Sequence, residues 1–195
     1  AKTQLQKWVA KYQPGLKIDF TKPLVSFIGR FDAGQKGLDK LEEAIESTLK
    51  HGGQFICMGL GDHPNAQGDQ IQDPKAKEIL DRLQEKYKEG VFWVRDYKTQ
   101  IRKPDGKVET RLYYQHGDDN RPGIGELVRA SSEFVFIPSN FEPCGLVQFE
   151  GWLYGSLAIG SQVGGLVDSV ITKEKNGKEF NGFLFSRDSN GADSC

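Results

Sequence analysis

The chain has 195 residues, and its 26 basic and 27 acidic side chains leave a formal net charge of −1. This balance excludes a globally basic nucleic-acid-binding protein. No apolar run approaches the roughly 18–20 residues that span a bilayer, so we expect no membrane span. Three cysteines at irregular spacing indicate neither a disulfide framework nor a zinc site. These features predict a soluble protein of the cytoplasm.

Short apolar runs alternate along the chain with segments of helical periodicity. Buried strands are predicted at 24–29, 54–59, 91–94, 132–138, 157–161 and 182–185. Helices are predicted at about 35–51, from Pro74 behind the capping residue Asp73, near 124–130 and at 145–154. Strands separated by helices form βαβ units. The pattern therefore predicts an α/β fold with a Rossmann-like parallel sheet and helices on both faces.

The remaining stretches set the predicted domain bounds. Residues 97–114 alternate around a Pro-Asp-Gly turn and predict a β-hairpin inserted after the third strand. Residues 1–22 are predicted as a lead-in segment, 23–186 as the domain and 187–195 as a polar tail. Because the chain begins without methionine and ends in that tail, we expect it to be a piece of a longer protein.

Glycines and charges collect in the loops that follow the predicted strands. Of the 195 residues, 23 are glycine, which exceeds the usual share of about 7%. The loop after the first strand carries Arg30 and Lys36. The forked guanidinium of an arginine and the compact ammonium of a lysine are suited to binding a diphosphate. Ligands of open α/β sheets bind at the carboxyl ends of the strands, where these loops lie. The loops therefore predict an anion site.

Two backbone segments on the same edge can also approach an anion. The amides of Gly145 and Leu146 open a predicted helix, and the pair Gly164-Gly165 allows backbone to lie close to a phosphate. The chain contains no GxxxxGK[ST] motif and no GxGxxG after a strand. A P-loop protein and a dinucleotide-binding fold are therefore disfavoured.

Two carboxylates, Glu142 and Glu150, are separated by seven residues. Glu142 lies in a restricted turn between Phe141 and Pro143, just before the short predicted helix that contains Glu150. Both can face the same cleft near the start of that helix. An ordinary exposed helix position is the alternative for Glu150.

The segment 136–170, which includes the block EPCGL, resembles the C-terminal domain of bacterial glycogen and starch synthases. The segment 27–41, FIGRFDAGQKGLDKL, is similar to the phosphate-binding loop of that family. These enzymes are retaining glycosyltransferases of the GT-B fold. The resemblance implies that the domain is the donor-binding half of such an enzyme. It also implies a nucleotide sugar as partner and an acceptor domain upstream in the full-length chain.

The resemblance also implies roles for the candidate residues. Arg30 and Lys36 would neutralise the leaving nucleoside diphosphate, while Glu142 would contact the transferred sugar. Glu150 would bind the nucleotide ribose. Phosphate or sugar would be held by the amides of Gly145, Leu146, Gly164 and Gly165.

Several features of the sequence depart from the family pattern. The loop from Arg30 to Lys36 is one residue longer, and Gln162-Val163 stands where the synthases usually carry a threonine. The hairpin and residues 116–123 replace the base-binding stretch. ADP- or UDP-glucose is expected as the donor, with GDP-mannose and a non-glucan, even protein, acceptor as the alternative.

Two fixed cations and backbone amides can stabilise a leaving diphosphate without a metal. The chain shows no Asp-x-Asp motif placed to hold a divalent ion, and we expect neither a metal nor another cofactor. Because a GT-B site lies between two domains, we expect the fragment alone to be inactive.

The competing hypothesis is a non-catalytic binding module that retains the fold. Such a module has no need of all four charged residues, Arg30, Lys36, Glu142 and Glu150. A phosphorylase would require a pyridoxal-binding lysine, for which no motif is present.

Overall fold

The computed structural model describes residues 1–60, 73–95, 98–102, 108–112, 123–173 and 179–187. The helices within these ranges are α1 Lys2–Tyr12, α2 Leu41–Lys50, α3 Pro74–Lys86, α4 Ile124–Arg129, α5 Val147–Leu153 and α6 Gly164–Ser169. The strands are β1 Leu24–Arg30, β2 Gln54–Leu60, β3 Val91–Arg95, β4 Lys98–Arg102, β5 Val108–Leu112, β6 Phe134–Ile137, β7 Leu157–Ser161 and β8 Gly182–Phe185. None of the helices in the described ranges is long and apolar enough to cross a membrane.

Six of the strands form one sheet in the order β3-β2-β1-β6-β7-β8. All neighbouring pairs in this sheet are parallel. The predicted Rossmann-like α/β fold is therefore confirmed. The chain order reverses between β1 and β6, and this switch point is where doubly wound sheets open a crevice at the carboxyl ends of their strands.

The β-hairpin insertion is also confirmed over the residues that the structure describes. Strands β4 and β5 pair antiparallel, with Lys98 opposite Leu112 and Arg102 opposite Val108. The predicted Pro-Asp-Gly turn lies outside the described residues.

Helices cover both faces of the sheet because alternate strand residues point to opposite sides. On one face α2 and α3 pack on β1–β3 through Phe27, Leu41, Ile45, Leu80 and Leu83. On the other face α1 and α4 pack through Leu5, Val9, Ile28, Met58 and Val128. Strands buried on both faces need apolar side chains at every position, which explains the continuous apolar runs in the sequence.

Helix α1 belongs to this core. Its residues Leu5 and Val9 have no exposed surface, and the Lys2 ammonium donates to the Glu133 carboxylate at 2.5 Å. The amphipathic pattern of the predicted lead-in segment 1–22 is therefore the face that packs on the sheet.

The left-handed backbone conformation of Gly37 prevents α2 from beginning near residue 35. Gly37 has φ +61°, and a Cβ at this position would lie 1.7 Å from the carbonyl oxygen of Pro138. A 3-10 turn at Leu38–Lys40 follows, and α2 starts at Leu41 rather than near residue 35. The start of α3 matches the prediction, because the Asp73 carboxylate accepts from the amides of Lys75 and Ala76.

Candidate functional site

The loops after β1 and β6 bring Lys36 and Glu142 into direct contact at the switch point. Lys36 Nζ donates to Glu142 Oε2 at 2.6 Å, across 106 residues of sequence. The Lys36 side chain is 15% exposed and the Glu142 side chain is 10% exposed. A charge-assisted hydrogen bond with so little water around it is short and strong. The Lys36–Glu142 pair is therefore the centre of the candidate site.

Buried serines hold the Glu142 carboxylate from the other side. Ser139 Oγ donates to the same oxygen, Oε2, at 3.0 Å. Ser161 Oγ, at the end of β7, in turn donates to the Ser139 carbonyl at 2.5 Å. The orientation of Glu142 is thus fixed by β6 and β7 as well as by the lysine.

Hydrogen bonds to backbone carbonyls join the two loops to each other independently of the charges. The amide of Asn140 donates to the Gln35 carbonyl at 2.7 Å, and Asn140 Nδ2 donates to the Gly34 carbonyl at 3.0 Å. Gln35 Nε2 donates to the Phe141 carbonyl at 3.3 Å. The lysine and the carboxylate are therefore presented by one connected surface.

Arg30 lies at the end of β1 on the same surface. Its Nη2 donates to Gln35 Oε1 at 2.5 Å, and its Nη1 is 3.8 Å from Asp32 Oδ2. About a third of the Arg30 side chain is exposed. The guanidinium is therefore accessible to an anion, and Gln35 links it to the loop that carries Glu142.

The two glycines that begin α6 pack on the backbone around Glu142. A Cβ on Gly164 would lie 2.2 Å from the Glu142 carbonyl oxygen, and one on Gly165 would lie 2.4 Å from that of Cys144. The Gly165 amide donates to the Glu142 carbonyl at 2.9 Å. The Gly165 N–H therefore serves the protein's own backbone in this structure, and its contact with phosphate or sugar stays a prediction. The glycine pair provides the space for that close packing.

Gly145 and Leu146 precede α5. Gly145 is buried with φ +72°, and a side chain on it would collide with Gln148, whose Nε2 donates to the Cys144 carbonyl. Leu146 is the residue before the first turn of α5, and 67% of its surface is exposed. The turn between Glu142 and α5 therefore requires glycine at position 145.

Glu150 has a different partner from Glu142. Arg129, at the end of α4, donates to Glu150 Oε2 at 2.5 Å. The Arg129 side chain is 6% exposed, whereas the Glu150 side chain is 37% exposed. Glu150 is therefore held by Arg129 of α4 rather than by Lys36, and its carboxylate is partly open to solvent.

Sequence reasoning did not nominate Ser139, Gln35 or Arg129. Ser139 follows a strand in a polar loop and Arg129 ends a short helix, positions that surface residues commonly occupy. Their partners become visible only in the tertiary structure. Among the described residues no group of three or more His, Cys, Asp or Glu side chains is arranged to hold a metal ion.

Known proteins are similar to this chain in sequence and in fold. Glycogen synthase 2 of Methylococcus capsulatus is 33% identical over 174 residues, which cover 87% of this chain and 29% of the relative. The glycogen synthase of Syntrophotalea carbinolica is 31% identical over 184 residues, covering 94% and 30%. The solved catalytic domain of starch synthase IV from Arabidopsis thaliana, bound to ADP and acarbose, matches with a TM-score of 0.66 at 27% identity. The chain is related to the glycogen and starch synthases.

That match to the starch synthase covers 97% of this chain and 33% of the solved structure. The chain spans about 30% of the length of the curated relatives it matches. No protein-family model matches it. At 31–33% identity the chain is a divergent relative of the synthases, and its sheet has the Rossmann-like fold of one half of a GT-B protein, as the sequence predicted. The segments 27–41 and 136–170 that carried the resemblance are those that meet at the switch point.

Proposed function

We propose that the chain is the donor-binding half of a retaining glycosyltransferase, which transfers glucose from a nucleoside-diphosphate glucose to a glucan. The observation that carries this proposal is the Lys36–Glu142 pair at the switch point, with Arg30 on the same surface. A cation and a carboxylate side by side match the two parts of the donor, an anionic diphosphate and a sugar with hydroxyl groups.

Lys36 and Arg30 bind the diphosphate in this proposal. Breaking the bond between the sugar and the diphosphate adds negative charge to the leaving group, and preorganised cations stabilise that charge. Lys36 is paired with a carboxylate in the structure. An incoming diphosphate would replace one anion with another, so the ammonium is not left without a partner at either stage.

Glu142 faces the sugar once the lysine turns toward the diphosphate. The Ser139 hydroxyl continues to hold Oε2, so the carboxylate keeps its orientation and accepts hydrogen bonds from the hydroxyl groups of the hexose. Glu150, oriented by Arg129, binds the ribose. The amides of Gly145, Leu146 and Gly164 lie on the same edge and approach phosphate or sugar.

The acceptor is bound elsewhere in the full-length protein. The chain covers about 30% of its relatives, and a site that lies between two domains is incomplete in one of them. We therefore propose that the chain binds donor without turning it over. The starch synthase with the matching fold was solved with ADP, which supports ADP-glucose as the first donor to test, followed by UDP-glucose. Independence of metal and a cytoplasmic location remain predictions.

The decisive test is a calorimetric titration of the chain with ADP, UDP and GDP, each with and without EDTA, followed by the matching sugar conjugates. We expect one diphosphate to bind and its glucose conjugate to bind more tightly. Binding of none of them would refute the proposal and favour a non-catalytic module. A preference for GDP-mannose would overturn the assignment of glucose, and binding that EDTA abolishes would overturn metal independence.

A further inference from the structure

Arg187 reaches back from the end of β8 across the carboxyl edge of the sheet. Its Nη1 donates to the Pro138 carbonyl at 2.5 Å, and its Nη2 donates to the Asp39 carboxylate at 2.9 and 3.1 Å. Only 16% of the side chain is exposed. One guanidinium therefore joins β8, the exit of β6 and the 3-10 turn before α2, although the sequence placed this residue in a polar tail.

These contacts lie beside a close approach of the two site loops. Gly37, next to Lys36 in the chain, packs so tightly that a Cβ would lie 1.7 Å from the Pro138 carbonyl oxygen and 2.7 Å from Arg187 Nη1. Pro138 leads directly into Ser139 and the Glu142 loop. The carbonyl that accepts from Arg187 is therefore the one against which the lysine loop rests.

We propose that Arg187 is a positioning residue for the donor site, which clamps the lysine loop to the Glu142 loop so that the Lys36 ammonium stands where the diphosphate binds. The proposal rests on the proposed function of Lys36. A guanidinium fits this task because its planar fork reaches a carbonyl and a carboxylate at once, whereas a lysine ammonium is a single point charge.

Arg187 sets the position of the lysine loop, whereas other hydrogen bonds keep the two loops joined. The hydrogen bonds from Asn140 to Gln35 and Gly34 still join the loops when Arg187 is lost. What loosens is the contact between Gly37 and Pro138, one residue from Lys36. Displacements of about 1 Å at a remote position can cost large factors in function, so binding of the diphosphate should suffer more than folding.

The test measures the affinity of the full chain for ADP, UDP and GDP by calorimetry, using whichever binds most tightly. Arg187→Met retains much of the stem and removes the fork, and we expect Kd to rise roughly five- to tenfold. Arg187→Lys should recover part of the loss because its ammonium can still reach one acceptor. In a K36A background, Arg187→Met should add little, because the group that Arg187 positions is absent.

Two further variants keep the result interpretable. Asp39→Ala removes the partner on the lysine side, and because 57% of that side chain is exposed we expect a folded protein with a raised Kd. Arg82→Met is the matched control, since Arg82 also donates to a carboxylate, that of Glu42 at 2.7 Å, but on the surface of α3. Its Kd should equal that of the unaltered chain.

The outcomes separate the two proposals. If the chain binds a diphosphate and K36A weakens it, unchanged Kd values in Arg187→Met and Asp39→Ala overturn the positioning role alone. Full additivity of Arg187→Met with K36A overturns it as well. If no diphosphate binds to the unaltered chain, the proposed function and the role of Arg187 both fail.

Discussion

Two regions of the molecule pair the same types of charged side chain, lysine and glutamate, in different environments. On the surface between α2 and α3, Glu42 accepts from Arg82 and Lys86, each at 2.7 Å, and Glu46 accepts from Lys86 at 2.8 Å and from the Tyr87 hydroxyl at 2.6 Å. We call these five residues the surface network. At the switch point, by contrast, the Lys36–Glu142 pair stands nearly enclosed.

Titration behaviour in the surface network reflects its many partners. Hydrogen bonds from Lys86 and then from Arg82 hold the pKa of Glu42 below its ordinary value. The bonds that Lys86 donates to Glu42 and then Glu46 raise the pKa of Lys86. Because solvent and salt screen such groups, exposed pairs contribute little to stability. Their loss can be tolerated.

Enclosing a charge pair costs solvation that its mutual attraction does not always recover. Stability alone therefore does not explain why a lysine and a glutamate meet at the carboxyl edge of the sheet. The proposed donor, which needs both groups, would explain it. The comparison indicates that the Lys36–Glu142 pair differs from the surface network in its enclosure more than in its number of ion pairs.

The largest effect is expected for Glu142→Gln in the full-length enzyme. The substitution keeps the shape and removes the charge that faces the sugar, so transfer should fall by on the order of 10²–10³. Binding of the bare nucleoside diphosphate should not weaken, since the carboxylate that competes for Lys36 is gone. Glu46→Gln, in the surface network, is the control and should keep normal transfer. Full activity in Glu142→Gln would refute the role of this residue.

Lys36→Ala should weaken binding of the nucleoside diphosphate by about 1.5–3 kcal/mol, the range for hydrogen bonds to charged groups. Arg30→Ala should have an effect in the same range. Lys86→Ala removes a lysine with two carboxylate partners and should leave the affinity unchanged. Calorimetry on folded variants, verified by cooperative melting, measures all three. Equal affinities for K36A and K86A would remove the distinction between the two regions.

Asp73→Ala tests a residue that connects the two regions. Asp73 caps α3, which carries part of the surface network, and it also accepts a hydrogen bond from the Ala33 amide in the lysine loop at 2.8 Å. Losing the cap should lower the free energy of unfolding by about 1 kcal/mol. The bond from Ala33 is the main cause that lowers the pKa of Asp73. Its contribution is therefore present above the unfolded pKa of roughly 3.9 and disappears as the pH falls through the lower, folded pKa.

Denaturant unfolding of the unaltered chain and of Asp73→Ala across that acidic range measures the difference. The two free energies of unfolding should converge as the pH falls, because protonation removes from the unaltered chain what the substitution removes from the variant. A constant difference down to the lowest accessible pH would show that the charge of Asp73 is not what stabilises the loop.

The smallest effect is expected for Glu42→Gln in the surface network. The variant should lose less than about 1 kcal/mol of unfolding free energy, and added salt should reduce the difference further. Diphosphate affinity should not change. A loss of affinity here would show that the network supports the donor site through α2.

Most of the fold was predictable because its central strands are buried on both faces. The runs at 24–29 and 54–59 fall within β1 and β2, since continuous apolar sequence is what a central parallel strand requires. The run at 182–185 coincides with β8 at the edge of the sheet. The cap at Asp73 was predictable for a similar reason, because its chemistry is local. Helix α6 was not predicted, since its six residues begin with two glycines that are typical of a loop.

The site was predictable in part. Its charged residues could be nominated one at a time from their places after strands, but the contact between Lys36 and Glu142 depends on β1 and β6 lying side by side. The contact of Arg187 with Asp39 spans 148 residues, and the bond from Ser139 to Glu142, although it spans only three residues, depends on how the loop after β6 turns. A polar residue after a strand has the same appearance in sequence whether it faces water or a buried carboxylate.

The span of 106 residues between Lys36 and Glu142 also has a consequence for the folding of the chain. Contacts distant in sequence form only after the intervening loop has lost its freedom, and they form slowly. The units from β1 to β3 can assemble first, but the proposed donor site is incomplete until β6 has docked beside β1. We expect donor affinity to appear late in refolding, and bound nucleotide to stabilise only the completed sheet.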